Sequence, residues 1–194
     1  MSLKSIHIIG HSLPAITLVL GLPMVILDIA QRYSYARALG TISLLLFILT
    51  LIPGIIRRFE LTQTSWGKTL TQLILPIRRQ LGIAMFLTAI WHAMGLRWEV
   101  FQGVIETGVP PEPPLFEILG TLSLLILTPL FLTSNNLSTR ILKRGWKHLH
   151  RLTYLAGWLL FGHVALQGGS WQTIVIGLIM IVEVTSLLYA IVKK

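Results

Sequence analysis

Six apolar runs of roughly 20 residues each take up most of this 194-residue chain, and His92, His150 and His163 lie inside or at the ends of two of them. Runs of that length are the length of membrane crossings. An imidazole left unpaired in hydrocarbon costs several kcal/mol, so each of these histidines needs a partner. That requirement constrains the fold and its chemistry more than any other feature of the chain.

Composition agrees with a membrane setting. Charged residues make up 12% of the chain, about half the roughly 25% usual for a soluble domain, and the mean hydropathy is +0.76. The expected fold is an all-α integral membrane protein, a single domain over residues 1–194 with six transmembrane helices. Six such helices leave only loops, with no room for a separate nucleotide- or flavin-binding domain, and no Gly-rich dinucleotide fingerprint or Walker loop occurs. With no cysteine, thiol catalysis, disulfides and Cys-ligated iron–sulfur clusters are all excluded. The formal charge of +9 does not indicate nucleic acid, because most basic residues border apolar runs as cytoplasmic anchors do.

Hydropathy predicts helices at about 6–28, 38–56, 77–96, 115–133, 147–166 and 172–192. Pro14 and Pro23 interrupt the first and Pro53 falls near the end of the second, positions that membrane helices tolerate. The first apolar stretch is too long for a signal peptide and lacks a small-residue cleavage site, so no cleaved leader is expected. Arg57, Arg58, Lys68, Arg78 and Arg79 separate helices two and three. Arg140, Lys143, Arg144, Lys147 and Arg151 lie between four and five, and Lys193 and Lys194 end the chain. The opposite loops set Arg32, Arg37 and Arg97 against Asp28, Glu99, Glu106 and Glu112, and the last of them, 97–114, is rich in proline. This bias puts both termini in the cytoplasm. Trp98, Trp146 and Trp171 fall near the predicted interfaces and read as belt residues.

Helices three and five run in the same direction, from the inner to the outer side. His92 follows Arg79 by 13 residues and His163 follows His150 by 13, a climb of about 20 Å in each case. His92 and His163 therefore share a depth near the outer side, and His150 lies near the inner side, level with Arg78 and Arg79. Two imidazoles at one depth on two helices can clamp a haem between axial ligands. The angles are less favourable: on a straight helix a spacing of 13 leaves two side chains about 140° apart, so helix five must tighten, bend or direct its side chains differently. Gly157 and Gly162 would admit either a porphyrin or a neighbouring helix. Structural histidines bonded to carbonyls, and transport by buried imidazoles, are the competing readings. His148 reads as a solvated or headgroup-facing residue. His7 and His11 share a helix face, but no third metal ligand is near them.

The stretches RRQLGIAMFLTAIWH (78–92), LTSN (132–135) and WKHLHRLTYLAGWLLFGH (146–163) together resemble the ferric-reductase-like transmembrane domain. Within it they are most similar to the MsrQ family, the haem-binding membrane subunits of methionine sulfoxide reductase systems. The resemblance implies a b-type cytochrome of the inner membrane with one or two haems b. In it His92 and His163 match the axial pair of one haem. His150 matches a ligand of the second, inner haem, which Arg78 or Arg79 would complete. It also implies flavin mononucleotide or quinone at the electron-input side, a cytoplasmic flavin reductase or a membrane quinol as donor, and a periplasmic molybdopterin-containing partner that reduces oxidised methionine. Three alternatives remain open: a stand-alone ferric or cupric reductase of the same fold, a small transporter with buried histidines, and a haem-binding scaffold.

Overall fold

In the computed structural model, which describes residues 12–109 and 112–193, every regular element is helical. The first predicted helix is broken. Residues 12–19 (α1) and Pro23–Ile26 (α2) are helical, with a turn over 20–22 between them. Pro23 has no N–H to give and its ring crowds the carbonyl a turn earlier, which ends α1. The His7 and His11 pair lies outside the described residues.

The next helix starts nine residues before its predicted bound. Asp28 caps α3 (Ile29–Arg58) by accepting a hydrogen bond from the Gln31 N–H at 2.9 Å, which satisfies one of the free donors of the first turn. Pro53 stays inside it. A stretch read as loop then forms a short helix, α4 (Ser65–Ile74), capped by Thr64 through the Gly67 N–H. The third predicted helix becomes α5 (Arg78–Thr107), which runs past residue 96 until Gly108 ends it at φ +72°, the left-handed conformation that glycine adopts freely. Its 30 residues make about 45 Å, more than the roughly 30 Å of hydrocarbon.

After α6 (Leu115–Leu132) and the short α7 (Asn136–Leu142), the helix predicted over 147–166 appears as two pieces, α8 (Arg144–Leu149) and α9 (Leu152–Ala165). At the join Arg151 N–H bonds to His148 O at 3.1 Å and Tyr154 N–H to Arg151 O at 3.0 Å. These are i to i+3 bonds, and such a turn winds about 120° per residue instead of about 100°. The tightening brings His150 and His163 closer in angle than a straight helix allows. The chain ends in α10 (Trp171–Val192).

Among the described residues four stretches are long and apolar enough to cross a membrane: Ile29–Arg58, Ser65–Trp98, Leu115–Leu132 and Trp171–Val192. Residues 12–26 are interrupted, and α9 has only 14 residues. α3 packs on α5 and α10, α9 packs on α6 and α10, and α5 packs on α6. These five helices close a ring, with α5 and α9 facing across it. Phe47, Leu51, Met85, Phe86, Leu127, Ile176 and Met180 fill its middle, and Phe86 stacks on Phe131 at 4.4 Å. Gly157 and Gly162 serve helix contacts: a Cβ at Gly157 would meet Met180 Sδ at 2.7 Å, and one at Gly162 would meet Leu119 at 2.9 Å.

Candidate functional site

α5 and α9 each send one imidazole across the ring. The ring centres of His92 and His163 lie 6.2 Å apart with their planes at 86°. Each is held from behind by the helix it packs on. His92 Nδ1 lies 2.8 Å from the carbonyl oxygen of Ala36 on α3. His163 Nδ1 lies 2.7 Å from that of Phe116 on α6. A carbonyl can only accept, so in both rings Nδ1 carries the proton and, in the neutral imidazole, Nε2 keeps the lone pair. Gln167, one turn beyond His163, is placed with its amide nitrogen 2.9 Å from that Nε2, donating to the lone pair as this tautomer requires.

That arrangement fits a haem iron. If both Nε2 atoms faced one metal, bonds of about 2.0 Å each would put the ring centres about 6 Å apart, close to the 6.2 Å observed; the Gln167 amide, which now bonds to His163 Nε2, would have to turn aside. The donor set also has the outer-sphere support that ligating histidines need, because the far nitrogen of each ring is fixed by a carbonyl. Among the described residues no group of three or more His, Asp or Glu could hold a bare metal ion.

The inner group is looser. His150 sits at the α8–α9 join, stacked on Trp146 at 4.0 Å, with Nε2 3.2 Å from Thr133 Oγ1. Trp146 donates from Nε1 to Thr133 O at 3.0 Å, so it braces the histidine. The two arginines differ. Arg78 is within electrostatic reach of His150, whereas Arg79 donates from Nη1 to Asn136 Oδ1 at 2.7 Å. His148 is exposed and bonds to the Arg144 carbonyl at 3.0 Å.

A buried ionic cluster completes the inner half, and sequence reasoning missed it. Glu183 on α10 is 1% exposed and Arg58 at the end of α3 is 14% exposed, with Arg58 Nη2 2.5 Å from Glu183 Oε1. Arg58 also donates from Nε to Ser186 Oγ at 2.8 Å and from Nη1 to Tyr154 Oη at 3.2 Å. The remaining carboxylate oxygen, Glu183 Oε2, has no hydrogen-bond partner among the described residues. The signal was there to read: Glu183 is the one acid in the last apolar run, and an acid inside a membrane helix requires a named partner.

The two helix pairs that carry the imidazoles are built alike. Ser43 on α3 donates to Met85 O on α5 at 2.9 Å, and Ser123 on α6 donates to Ala156 O on α9 at 3.0 Å. Ala36, Gly40 and Ser43 stand to Phe116, Gly120 and Ser123 at one constant offset of 80 residues, and Met85 and His92 stand to Ala156 and His163 at one of 71. The sequence carries the repeat openly, as LGTISLL over 39–45 and LGTLSLL over 119–125. Carried inward, the second offset puts Arg79 in register with His150.

Comparison with known proteins identifies the family. Residues 39–161 match the family described as ferric reductase like transmembrane component. Among curated proteins, the chain is similar to the protein-methionine-sulfoxide reductase heme-binding subunit MsrQ of Brucella ovis and of Brucella abortus, each 39% identical over 126 residues, and to that of Brucella anthropi at 36%. Each alignment covers 63% of this chain and 52% of the relative. The chain thus spans about half the length of the curated relatives it matches. No solved structure matches it.

Proposed function

The chain belongs to the ferric-reductase-like transmembrane family, on its MsrQ side, and from that membership we propose that it is a b-type cytochrome that carries electrons across the membrane. It is a multi-pass protein of the inner membrane. The observation that carries the proposal is the His92–His163 pair: two imidazoles 6.2 Å apart, each anchored through Nδ1 to a backbone carbonyl.

His92 and His163 would hold one haem b. Haem, when bound, supplies the one-electron couple. The chain would orient the two ligand nitrogens and fix their tautomers through the Ala36 and Phe116 carbonyls. His150 would hold a second, inner haem, with Arg78 or Arg79 completing that site; proximity favours Arg78 and the internal repeat favours Arg79. Electrons would enter on the His150 side from a flavin or quinol donor and leave on the His92 side. The acceptor would be a periplasmic molybdopterin-containing methionine sulfoxide reductase subunit, in keeping with the sulfoxide reductase systems for which the Brucella relatives are named. In this reading residues 12–26 and the α8–α9 segment also lie in the membrane, making six crossings with both termini in the cytoplasm, and the basic α7–α8 segment faces the donor.

A dithionite-reduced minus oxidised visible spectrum of the detergent-purified protein, with haem quantified per chain, tests the proposal. A b-type spectrum with at least one haem per chain is expected. A folded protein that takes up no haem even on reconstitution overturns it and favours transport by buried histidines.

A further inference from the structure

The repeated half-site singles out two glycines. In an α-helix the carbonyl of residue i points toward residue i+4, so the side chain at i+4 stands beside any second partner of that carbonyl. Ala36 and Gly40 have this relation on α3, and Phe116 and Gly120 have it on α6. A Cβ at Gly40 would lie 2.5 Å from His92 Nδ1 and 2.7 Å from its Cε1. One at Gly120 would lie 2.6 Å from His163 Nδ1 and 2.9 Å from its Cε1. Ordinary contact is about 3.5–4.0 Å, so a side chain at either position requires the imidazole or its helix to give by about 1 Å, at the expense of the bond from Nδ1 to the carbonyl. Neither glycine has a left-handed backbone. Clearance for the ring is therefore what each one supplies.

We propose that Gly40 and Gly120 are the paired positioning residues of the haem site: by leaving the Ala36 and Phe116 carbonyls open to Nδ1, they set the tautomer and orientation of His92 and His163 and present each Nε2 to the iron. The inference rests on the haem reading above and goes beyond it, because neither glycine is a ligand. A proton shared with a carbonyl raises the basicity of the ligating nitrogen. Losing that bond makes the imidazole a poorer donor to ferric iron, so the haem becomes easier to reduce. Because the two glycines back the two histidines that would hold one haem, their replacements should act on one signal in one direction.

Gly40→Ala and Gly120→Ala are compared with Gly82→Ala, a substitution on α5 whose added Cβ meets nothing within 4 Å. The readouts are haem per chain, the electron paramagnetic resonance spectrum of the ferric form, and the haem midpoint potential. Each of the first two variants is expected either to lose haem or to keep it with a changed ferric spectrum and a reduced-to-oxidised ratio raised about tenfold at fixed poise, which is 59 mV for one electron; Gly82→Ala retains the wild-type values. If Gly40→Ala fails to fold, the double variant His92→Gly/Gly40→Ala removes the clashing ring. Its recovery as a folded protein that binds haem with added imidazole supports the proposal. Failure of the double variant where His92→Gly alone folds overturns it. Haem-loaded Gly40→Ala and Gly120→Ala with wild-type potential and spectrum also overturn it while leaving the haem reading intact. A folded wild type without haem sinks that reading and this inference together.

Discussion

Replacing Glu183 by leucine should unbalance the inner half of the bundle. The carboxylate is 1% exposed and lies against Arg58, which is 14% exposed and also bonded to Ser186 and Tyr154. Two unit charges about 4 Å apart at an effective dielectric of about 20 attract by about 4 kcal/mol. Removing one partner of a buried pair also strands the other without compensation, which costs about 3–5 kcal/mol. For a domain of this size about 4 kcal/mol corresponds to a fall in melting temperature of about 10 °C. Tyr154 and Ser186 remain as partners for the guanidinium and hold the loss near the lower end of that range. Replacing both charges, as Arg58→Met/Glu183→Leu, removes the desolvation cost along with the attraction and should recover most of the stability. The assay is a thermal melt of the detergent-solubilised protein followed by tryptophan fluorescence, run as a double-mutant cycle. Glu60→Gln, which breaks the exposed pair with Lys193, should not change the melt detectably. The reasoning fails if Glu183→Leu melts with the wild type, or if the double variant is as unstable as the two single losses added together.

Ser43→Ala and Ser123→Ala each delete one interhelical hydrogen bond to a buried carbonyl; each should cost about 1 kcal/mol in the same melt, and their near equality would support the matched construction of the two helix pairs. Asp28→Ala removes the cap of α3 and should cost about 1 kcal/mol, read as faster amide hydrogen exchange confined to the first turn, residues 29–32. His150→Ala should lower the haem content of a two-haem preparation by half and leave the outer haem spectrum unchanged. Arg78→Ala and Arg79→Ala, measured in parallel, will show which arginine shares that fate.

Much of the architecture could be read from hydropathy. The apolar core of each long helix falls within a predicted span, and the 13-residue spacings put His92 and His163 at one depth, where the structure brings them together. Helix ends were harder to read. Residues 29–37 are too polar to count as a span, yet Asp28 caps them into α3 and Tyr35 ties them to the Leu20 carbonyl at 2.6 Å. α5 continues past residue 96 because nothing in the sequence stops a helix there until Gly108. The two glycines behind the histidines were invisible for a different reason: their role depends on which helix packs against which, and hydropathy does not report pairing. The LGT-x-SLL repeat could have supplied that pairing, since it marks α3 and α6 as equivalent partners. From sequence Arg58 reads as a membrane anchor, like many arginines at helix ends. Its contacts with Glu183, Ser186 and Tyr154 distinguish it from the exposed Arg57.

The most direct test of the central claim is the electron paramagnetic resonance spectrum of the oxidised protein beside those of His92→Ala and His163→Ala, each with haem quantified per chain. The account predicts a low-spin ferric signal with two nitrogen ligands in the wild type, and in either single variant a conversion of that haem to high spin or its loss. Two haem-loaded variants that both keep the wild-type low-spin signal would contradict it, because the iron would then be held somewhere other than between these two imidazoles.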